Sequence, residues 1–237
     1  MKYLIVNADD FGLSRGINRG ILDAHRQGIL TSTSLMVSAP WSEEAAGLTR
    51  TAPALSVGLH AHVVSGTGNS ARLRTVRSEL RAQFTRFFEI TGISPTHLDS
   101  HHNIHRDPEL LPVFLELASE YEVPLRAYSR IRYFAEFYGQ WGGQTHLEQI
   151  NPANLLRILR TEIGPGVTEL SCHPGYVDPD FASGYSMERE AELLTLCDPR
   201  MRRALAKEKI ELVSYHELHK IGTDLGACAG VPRQRTG

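Results

Sequence analysis

The chain is poor in the features that mark several large classes of protein. It has three cysteines in 237 residues, and Cys172, Cys197 and Cys228 are too few and too widely spaced for a disulfide framework or a cysteine-based zinc site. Its 25 basic and 27 acidic residues nearly cancel, so no long-range field favours nucleic acid or an anionic membrane surface. No apolar run approaches the length of a membrane span, and the N-terminus enters a strand without the pattern of a secretion signal. We therefore expect a soluble, cytoplasmic protein.

The sequence also lacks a linker that would divide it into domains. No Ser/Gly-rich or Pro-rich stretch interrupts the middle of the chain, and we find no internal repeat or low-complexity block. Hydrophobic residues make up 41% of the chain, which is enough for a sizeable core. We predict a single domain over residues 1–222 and a flexible tail over residues 223–237.

Seven segments have the apolar or β-branched composition of buried strands, and they alternate with segments of helical periodicity. The predicted strands are residues 3–6, 31–37, 55–62, 96–101, 123–127, 167–172 and 211–215. Because each connection is long enough for a crossover, the pattern predicts an α/β fold with a parallel sheet. The pattern alone fits an open doubly wound sheet and a closed barrel equally well.

Capping residues set the predicted starts of the helices. Ser14 caps the first helix, which ends at Gly28, and Ser42 begins the second. A Gly/Ser-rich loop at 65–71 precedes a third helix with a wide apolar stripe of Val76, Leu80, Phe84, Phe87 and Phe88. Asx-Pro pairs begin three later helices, at residues 107–108, 151–152 and 198–199. Residues 129–150 contain no predicted element, and a loop of that length is usually functional.

The residues best suited to chemistry follow the predicted strands at the same end of each strand. They are Asp9, Asp10, His60, His62, Asp99, His101 and His173. In barrels and open α/β sheets alike, the carboxyl ends of parallel strands form the rim at which ligands bind. We therefore expect these side chains to share one site.

Strand alternation places His60 with His62, and Asp99 with His101, on common faces. Two imidazoles and a carboxylate suit catalytic zinc, iron or a similar divalent cation, whereas magnesium is less usual with imidazole ligands. Each residue also has a simpler interpretation. One Asp of the adjacent pair at 9–10 can be a helix cap, a single histidine is more often buried and satisfied than a ligand, and Asp99 can merely orient a neighbouring imidazole.

Four motifs together resemble the YdjC-like carbohydrate deacetylase family, which includes chitooligosaccharide deacetylases and a hopanoid-associated branch. They are residues 7–12 (NADDFG), 58–60 (GLH), 96–102 (THLDSHH) and 172–175 (CHPG). They occur in the family's order, and the likeness spans residues 1–216. The resemblance implies a distorted (β/α) barrel of about seven parallel strands, TIM-barrel-like, that removes the N-acetyl group from an amino sugar. It also implies one divalent metal cation, Mg2+ by resemblance, although the His/His/Asp set also suits Zn2+ or another transition metal.

The resemblance assigns a role to each matching residue. The metal ligands are Asp10, His60 and His101. The catalytic residues are Asp9 as the base, His173 as the proton donor to the leaving amine, and Arg126, which orients the base or binds the acetyl oxygen. We expect substrate contacts from His62, Asp99, His105, Trp141 and Tyr176. Two roles stay open for Trp141. It stacks on a sugar as part of the substrate-binding wall, or it belongs to a loop that packs onto the barrel.

Two departures from the family pattern lie in the expected substrate region. The family commonly continues its third-strand motif as Gly-Leu-His-Leu-x-Leu-Thr, whereas His60 is followed here by residues 61–64 (AHVV). Asn103 stands where another histidine is common.

The expected partner is a small N-acetylated sugar, and the sequence leaves open whether the protein forms a homo-oligomer. Two rival functions also stay open. One is a barrel metal hydrolase that acts on a phosphoester or cyclic amide, and the other is a catalytically silent sugar-binding module.

Overall fold

A computed structural model describes residues 1–63 and 69–221. The predicted tail at 223–237 and most of the predicted loop at 65–71 lie outside the described residues. The strands are β1 (Lys2–Phe11), β2 (Ser32–Leu35), β3 (Ser56–Ala61), β4 (Leu98–Ser100), β5 (Arg132–Phe134), β6 (Gln140–Trp141), β7 (Gln144–Thr145), β8 (Gly166–Cys172) and β9 (Ile210–Leu212). The α-helices are α1 (Arg15–Gln27), α2 (Ser42–Thr49), α3 (Asn69–Thr91), α4 (Leu111–Glu120), α5 (Pro152–Thr161), α6 (Met187–Leu196), α7 (Pro199–Glu208) and α8 (Leu218–Ile221).

The main sheet is parallel and is built around β1. Among the described residues its strand order is β4-β3-β2-β1-β8-β5, and β9 also pairs with β1. Residues Lys2–Leu4 of β1 pair with β9, and the later part of β1 pairs with β2, while β8 runs along its other edge. Helices cover this sheet, so the predicted α/β fold with a distorted barrel of about seven parallel strands is confirmed.

Several helix boundaries follow from the caps that the sequence predicts. The Ser14 side chain accepts a hydrogen bond from the Ile17 backbone, and Gly28 ends α1. Asn151 and Asp198 cap α5 and α7 in the same way, with a proline in the first turn of each helix. These caps satisfy backbone N–H groups that a helix leaves without partners, so local sequence is enough to place them.

Between residues 107 and 150 the structure differs from the predicted elements. Helix α4 begins at Leu111 because residues 107–110 form a turn, in which the Leu110 N–H donates to the Asp107 carbonyl. The predicted strand at 123–127 is a single bridge from Leu125 to Leu98, since Ala127 adopts a left-handed φ of +63° and the chain turns there. The fifth strand along the chain is β5, inside the region for which no element is predicted.

The apolar stripe of α3 is narrower than its sequence indicates. Val76, Leu80, Phe84 and Phe87 are buried, whereas Phe88 is 59% exposed. Residue 88 lies about 100° around the helix from residue 87, which takes it off the face that packs on the sheet.

No helix of the described residues combines the length and apolar character that a membrane span requires.

Candidate active site

Asp9 and Asp10 are adjacent in β1, yet their carboxylates lie in different surroundings. Asp10 has a left-handed φ of +70°, and the register of β1 against β2 shifts between Ala8 and Phe11. This irregularity separates the two side chains. Asp9 contacts Arg126, and Asp10 contacts two histidines and Arg189. The carboxyl end of β1 therefore supplies one carboxylate to each of two clusters.

The first cluster joins the three residues that the resemblance marks as metal ligands. Oδ1 of Asp10 lies 3.4 Å from Nε2 of His60 and 3.1 Å from Nδ1 of His101. One donor atom from each of the three residues falls within 4.8 Å of the others. Asp10 and His60 are buried, and His101 is partly exposed at the end of β4. Two imidazoles and one carboxylate, open to a cavity on one side, fit a divalent cation.

His60 is held in place by Asp99. Nδ1 of His60 lies 2.7 Å from Oδ1 of Asp99, and the Ser34 hydroxyl donates to the other oxygen of Asp99. Burial alone would lower the pKa of His60, but Asp99 and Asp10 raise that pKa to about 10. Asp99, for which we expected a substrate contact, is wholly buried, and its carboxylate is placed to orient His60. Such a partner fixes which imidazole nitrogen faces a metal.

Arg126 is the centre of the second cluster. Its guanidinium donates to both oxygens of Asp9 at 2.8 and 2.7 Å, and it lies within 2.6 Å of Asp99 and 2.7 Å of Glu169. Burial acts to raise the pKa of Asp9, but the charge and hydrogen bonds of Arg126, together with the charge of His60, leave that pKa below its ordinary value. The Arg126 side chain is 0% exposed. The contacts with Asp9 fit the first of its two expected roles, orientation of the base, and Arg126 is not among the residues that line the cavity.

His173 follows β8 and faces Asp9. Its Nε2 lies 4.0 Å from Oδ2 of Asp9, and its backbone N–H donates to Glu192 at 2.5 Å. Burial lowers the pKa of His173 to about 4, although Asp9 and Asp10 act in the opposite direction. The imidazole is therefore neutral at pH 7. Glu192 is also buried, and this raises its pKa to about 8 despite hydrogen bonds from His173 and Tyr185.

Part of the candidate site lines a cavity of about 550 Å³. Asp9, Asp10, His60, His101 and His173 all contribute to its lining. Aromatic and polar side chains form much of the remaining wall, among them Tyr133, Tyr138, Gln140, Phe181, Tyr185 and Arg189. The rings of Tyr138 and Tyr185 stack with centroids 4.8 Å apart. The cavity wall thus combines titratable side chains with aromatic faces.

The other residues expected to bind substrate lie outside this lining. His62 is exposed and meets the edge of His101, with ring centroids 5.7 Å apart. His105 is fully buried beneath Ser100. Trp141 is 49% exposed and stacks on His146, which follows the β6–β7 hairpin. The hydroxyl of Tyr176 donates to Asp23, away from the cavity.

Arg189 and Glu192 are charged residues beside the cavity that lie outside the four motifs and were not among the expected site residues. Both lie on α6, three residues apart, and both are buried. They share a helix face with the apolar Leu193 and Leu196, which are also buried. An arginine and a glutamate on the apolar face of an amphipathic helix are a readable signal, because unpaired charges are costly to bury.

Comparisons with known proteins find relatives that match nearly the whole chain. A carbohydrate deacetylase of Geobacillus stearothermophilus is 37% identical over 253 aligned positions, which cover 93% of this chain and 99% of that protein. A chitooligosaccharide deacetylase of Proteus mirabilis is 34% identical, with 91% and 98% covered. A crystal structure from Enterococcus faecalis V583 superposes with a TM-score of 0.77 at 29% identity, covering 92% and 98%. The family model described as YdjC-like protein matches residues 3–207, and the chain therefore belongs to the YdjC-like family.

Proposed function

We propose that the protein is a metal-dependent carbohydrate deacetylase that hydrolyses the N-acetyl group of an amino sugar. One observation carries the proposal: Asp10, His60 and His101 converge in the lining of one cavity that also includes a second carboxylate, Asp9, and the His173 imidazole beside it. Amide hydrolysis needs an activated water, a polarised carbonyl and a proton for the departing amine. The names of the relatives support the same activity.

Asp10, His60 and His101 would hold the cation. A divalent cation bound there would polarise the acetyl carbonyl and increase the acidity of a water molecule. Asp99 supports this role, because it orients His60 with Nε2 towards Asp10. The donor set favours a transition metal over magnesium on grounds of ligand softness. Magnesium is the choice that the family resemblance implies, so both ions belong in the test.

Asp9 is the proposed base. Its two oxygens are fixed by Arg126, and the Asn7 amide donates to Oδ1 at 2.9 Å. Although Arg126 lowers the pKa of Asp9 and weakens it as a base, the same contacts hold the carboxylate in a single orientation at the cavity wall. Positioning of this kind accounts for much of the advantage of an enzymatic base over a free carboxylate.

His173 is the proposed proton donor to the amine. Because its pKa is about 4, the imidazole carries no spare proton at pH 7 and must acquire one before it can donate. Asp9 lies 4.0 Å from Nε2, so a small movement of the ring would allow the proton taken from water to pass from Asp9 to His173. The amine would then leave with that proton.

The aromatic wall is the proposed sugar-binding surface. Tyr138 is partly exposed in the cavity and rests against Tyr185. The Tyr133 hydroxyl lies 3.1 Å from the Ser171 hydroxyl, which fixes the phenol ring at the cavity wall. A tyrosine face offers apolar contact to a sugar ring while its hydroxyl serves the sugar's polar edge.

Acetate release from a panel of N-acetylated sugars tests the proposal. Metal-stripped protein is assayed alone and with Mg2+, Zn2+ or Co2+, beside Asp10→Ala and the surface control Asp180→Asn. We expect release that depends on added cation, is lost in Asp10→Ala and is unchanged in Asp180→Asn. Release without a cation, or full activity in Asp10→Ala, would contradict the metal assignment.

A further inference from the structure

Arg189 is a buried cation in the wall of the cavity, beside the proposed metal ligands. Its side chain is 7% exposed. Nη2 donates to Oδ2 of Asp10 at 2.5 Å, and Nη1 donates to the backbone carbonyl of His173 at 3.3 Å. The guanidinium therefore bridges the proposed metal ligand and the segment that carries the proposed proton donor.

The two oxygens of Asp10 have different partners. Oδ1 faces Nε2 of His60 and Nδ1 of His101, whereas Oδ2 is taken by Arg189. A cation held by the three proposed ligands would thus find only Oδ1 available. The guanidinium would leave Asp10 one oxygen for a cation, and it shares the charge of the carboxylate.

Backbone contacts fix Arg189 in this position. The Gly175 N–H donates to the Arg189 carbonyl, and Glu192, one turn along α6, accepts from the His173 N–H. With the Arg189 contact to the His173 carbonyl, these bonds tie α6 to residues 173–175 at three points. The backbone of Arg189 is therefore fixed beside residues 173–175, and its side chain cannot leave the wall without breaking the hydrogen bonds to Asp10 and to the His173 carbonyl.

The charge of Arg189 must then act on any cation at this site. A guanidinium on one oxygen of Asp10 and a divalent cation on the other repel each other, and they do so in surroundings where water screens little. The carboxylate also gives less charge to the cation, which leaves more of the cation's charge to act on a substrate carbonyl. Both effects have the same origin, the sharing of Asp10.

We propose that Arg189 is a positioning residue that limits Asp10 to one oxygen and weakens the binding of the divalent cation, so that the bound cation is a stronger Lewis acid. This inference rests on the proposed function, since it assumes that Asp10, His60 and His101 hold a cation. It assigns the control of cation affinity to an arginine that lies outside the four family motifs.

Calorimetric titration of metal-stripped protein with Zn2+ and with Mg2+ tests it. Arg189→Gln removes the charge and keeps an amide donor, whereas Arg189→Lys keeps the charge. The surface variant Arg200→Gln is the matched control, because Arg200 pairs only with the nearby Asp198 among its described contacts. If Arg189→Gln does not give a wild-type melting transition, Arg189→Met replaces it.

We expect Arg189→Gln to bind the cation about tenfold more tightly than wild type, a scale typical of changes in the partners of metal ligands. Arg189→Lys and Arg200→Gln should bind as wild type does, within about threefold of its affinity. In acetate release, Arg189→Gln should lower kcat about tenfold and leave KM nearly unchanged.

Unchanged or weaker cation binding by Arg189→Gln would overturn the inference, and so would equally tight binding by Arg189→Lys. In either case cation-dependent acetate release by the wild type would leave the proposed function standing. If the wild type binds neither cation, the metal assignment itself fails, and the inference fails with it.

Discussion

Replacing Glu192 with glutamine should make the protein more stable at alkaline pH. Burial raises the pKa of Glu192 from its ordinary value of 4.5 to about 8. Between these two values the folded protein retains a proton that the unfolded chain releases. The free energy of unfolding of the wild type therefore falls as pH rises from about 4.5 to about 8, by up to ~1.4 kcal/mol per pH unit. Summed over that interval, the loss is at most about 5 kcal/mol.

Glutamine resembles the protonated carboxyl group and does not ionise, so Glu192→Gln removes this loss. The free energy of unfolding is measured with urea at pH 5, 7 and 9 for wild type, Glu192→Gln and the exposed control Glu89→Gln. The difference between Glu192→Gln and wild type should shift in favour of the variant by a few kcal/mol from pH 5 to pH 9. A difference that is independent of pH, or that shifts towards the wild type, would refute the reasoning.

Three further predictions concern the groups around the cavity. Arg126→Met leaves buried carboxylates without their cation and should lower the free energy of unfolding by about 3–5 kcal/mol, measured with urea; a loss under about 1 kcal/mol would contradict the buried cluster. Asp99→Asn should weaken cation binding about 10- to 100-fold because His60 loses its orienting carboxylate, and calorimetry that finds wild-type affinity would count against this role. Tyr138→Ala should raise KM for acetylated sugars with little change in kcat, and an unchanged KM in acetate-release kinetics would remove Tyr138 from the sugar surface.

Much of the site's position could be predicted from sequence because it depends on strand ends. The carboxyl ends of parallel strands lie on one rim, so His60, Asp99 and His173 could be placed together without knowledge of the barrel's curvature. The family predicted from the four motifs is confirmed by the match over residues 3–207. The start of α1 could also be predicted, because the Ser14 cap depends only on residues a few positions away in the sequence.

The directions of side chains could not be read from the sequence. Whether Arg126 points into the barrel or into the cavity depends on the turn at Ala127 and on three carboxylates brought from separate strands. Strand β5 was missed because it has only three residues, and the exposed Arg132 at its start obscures an apolar pattern. The contacts of Trp141 and Tyr176 likewise depend on tertiary packing, which composition does not determine.

The division of labour between Asp9 and Asp10 is the central claim, and one paired measurement tests it most directly. Asp9→Asn and Asp10→Asn are compared with wild type for Zn2+ and Mg2+ binding by calorimetry and for acetate release under the same conditions. Asp9→Asn should bind the cation as wild type does and lose about 10²–10⁴-fold in turnover, whereas Asp10→Asn should lose both binding and turnover. Wild-type turnover in Asp9→Asn, or wild-type cation binding in Asp10→Asn, would contradict the account.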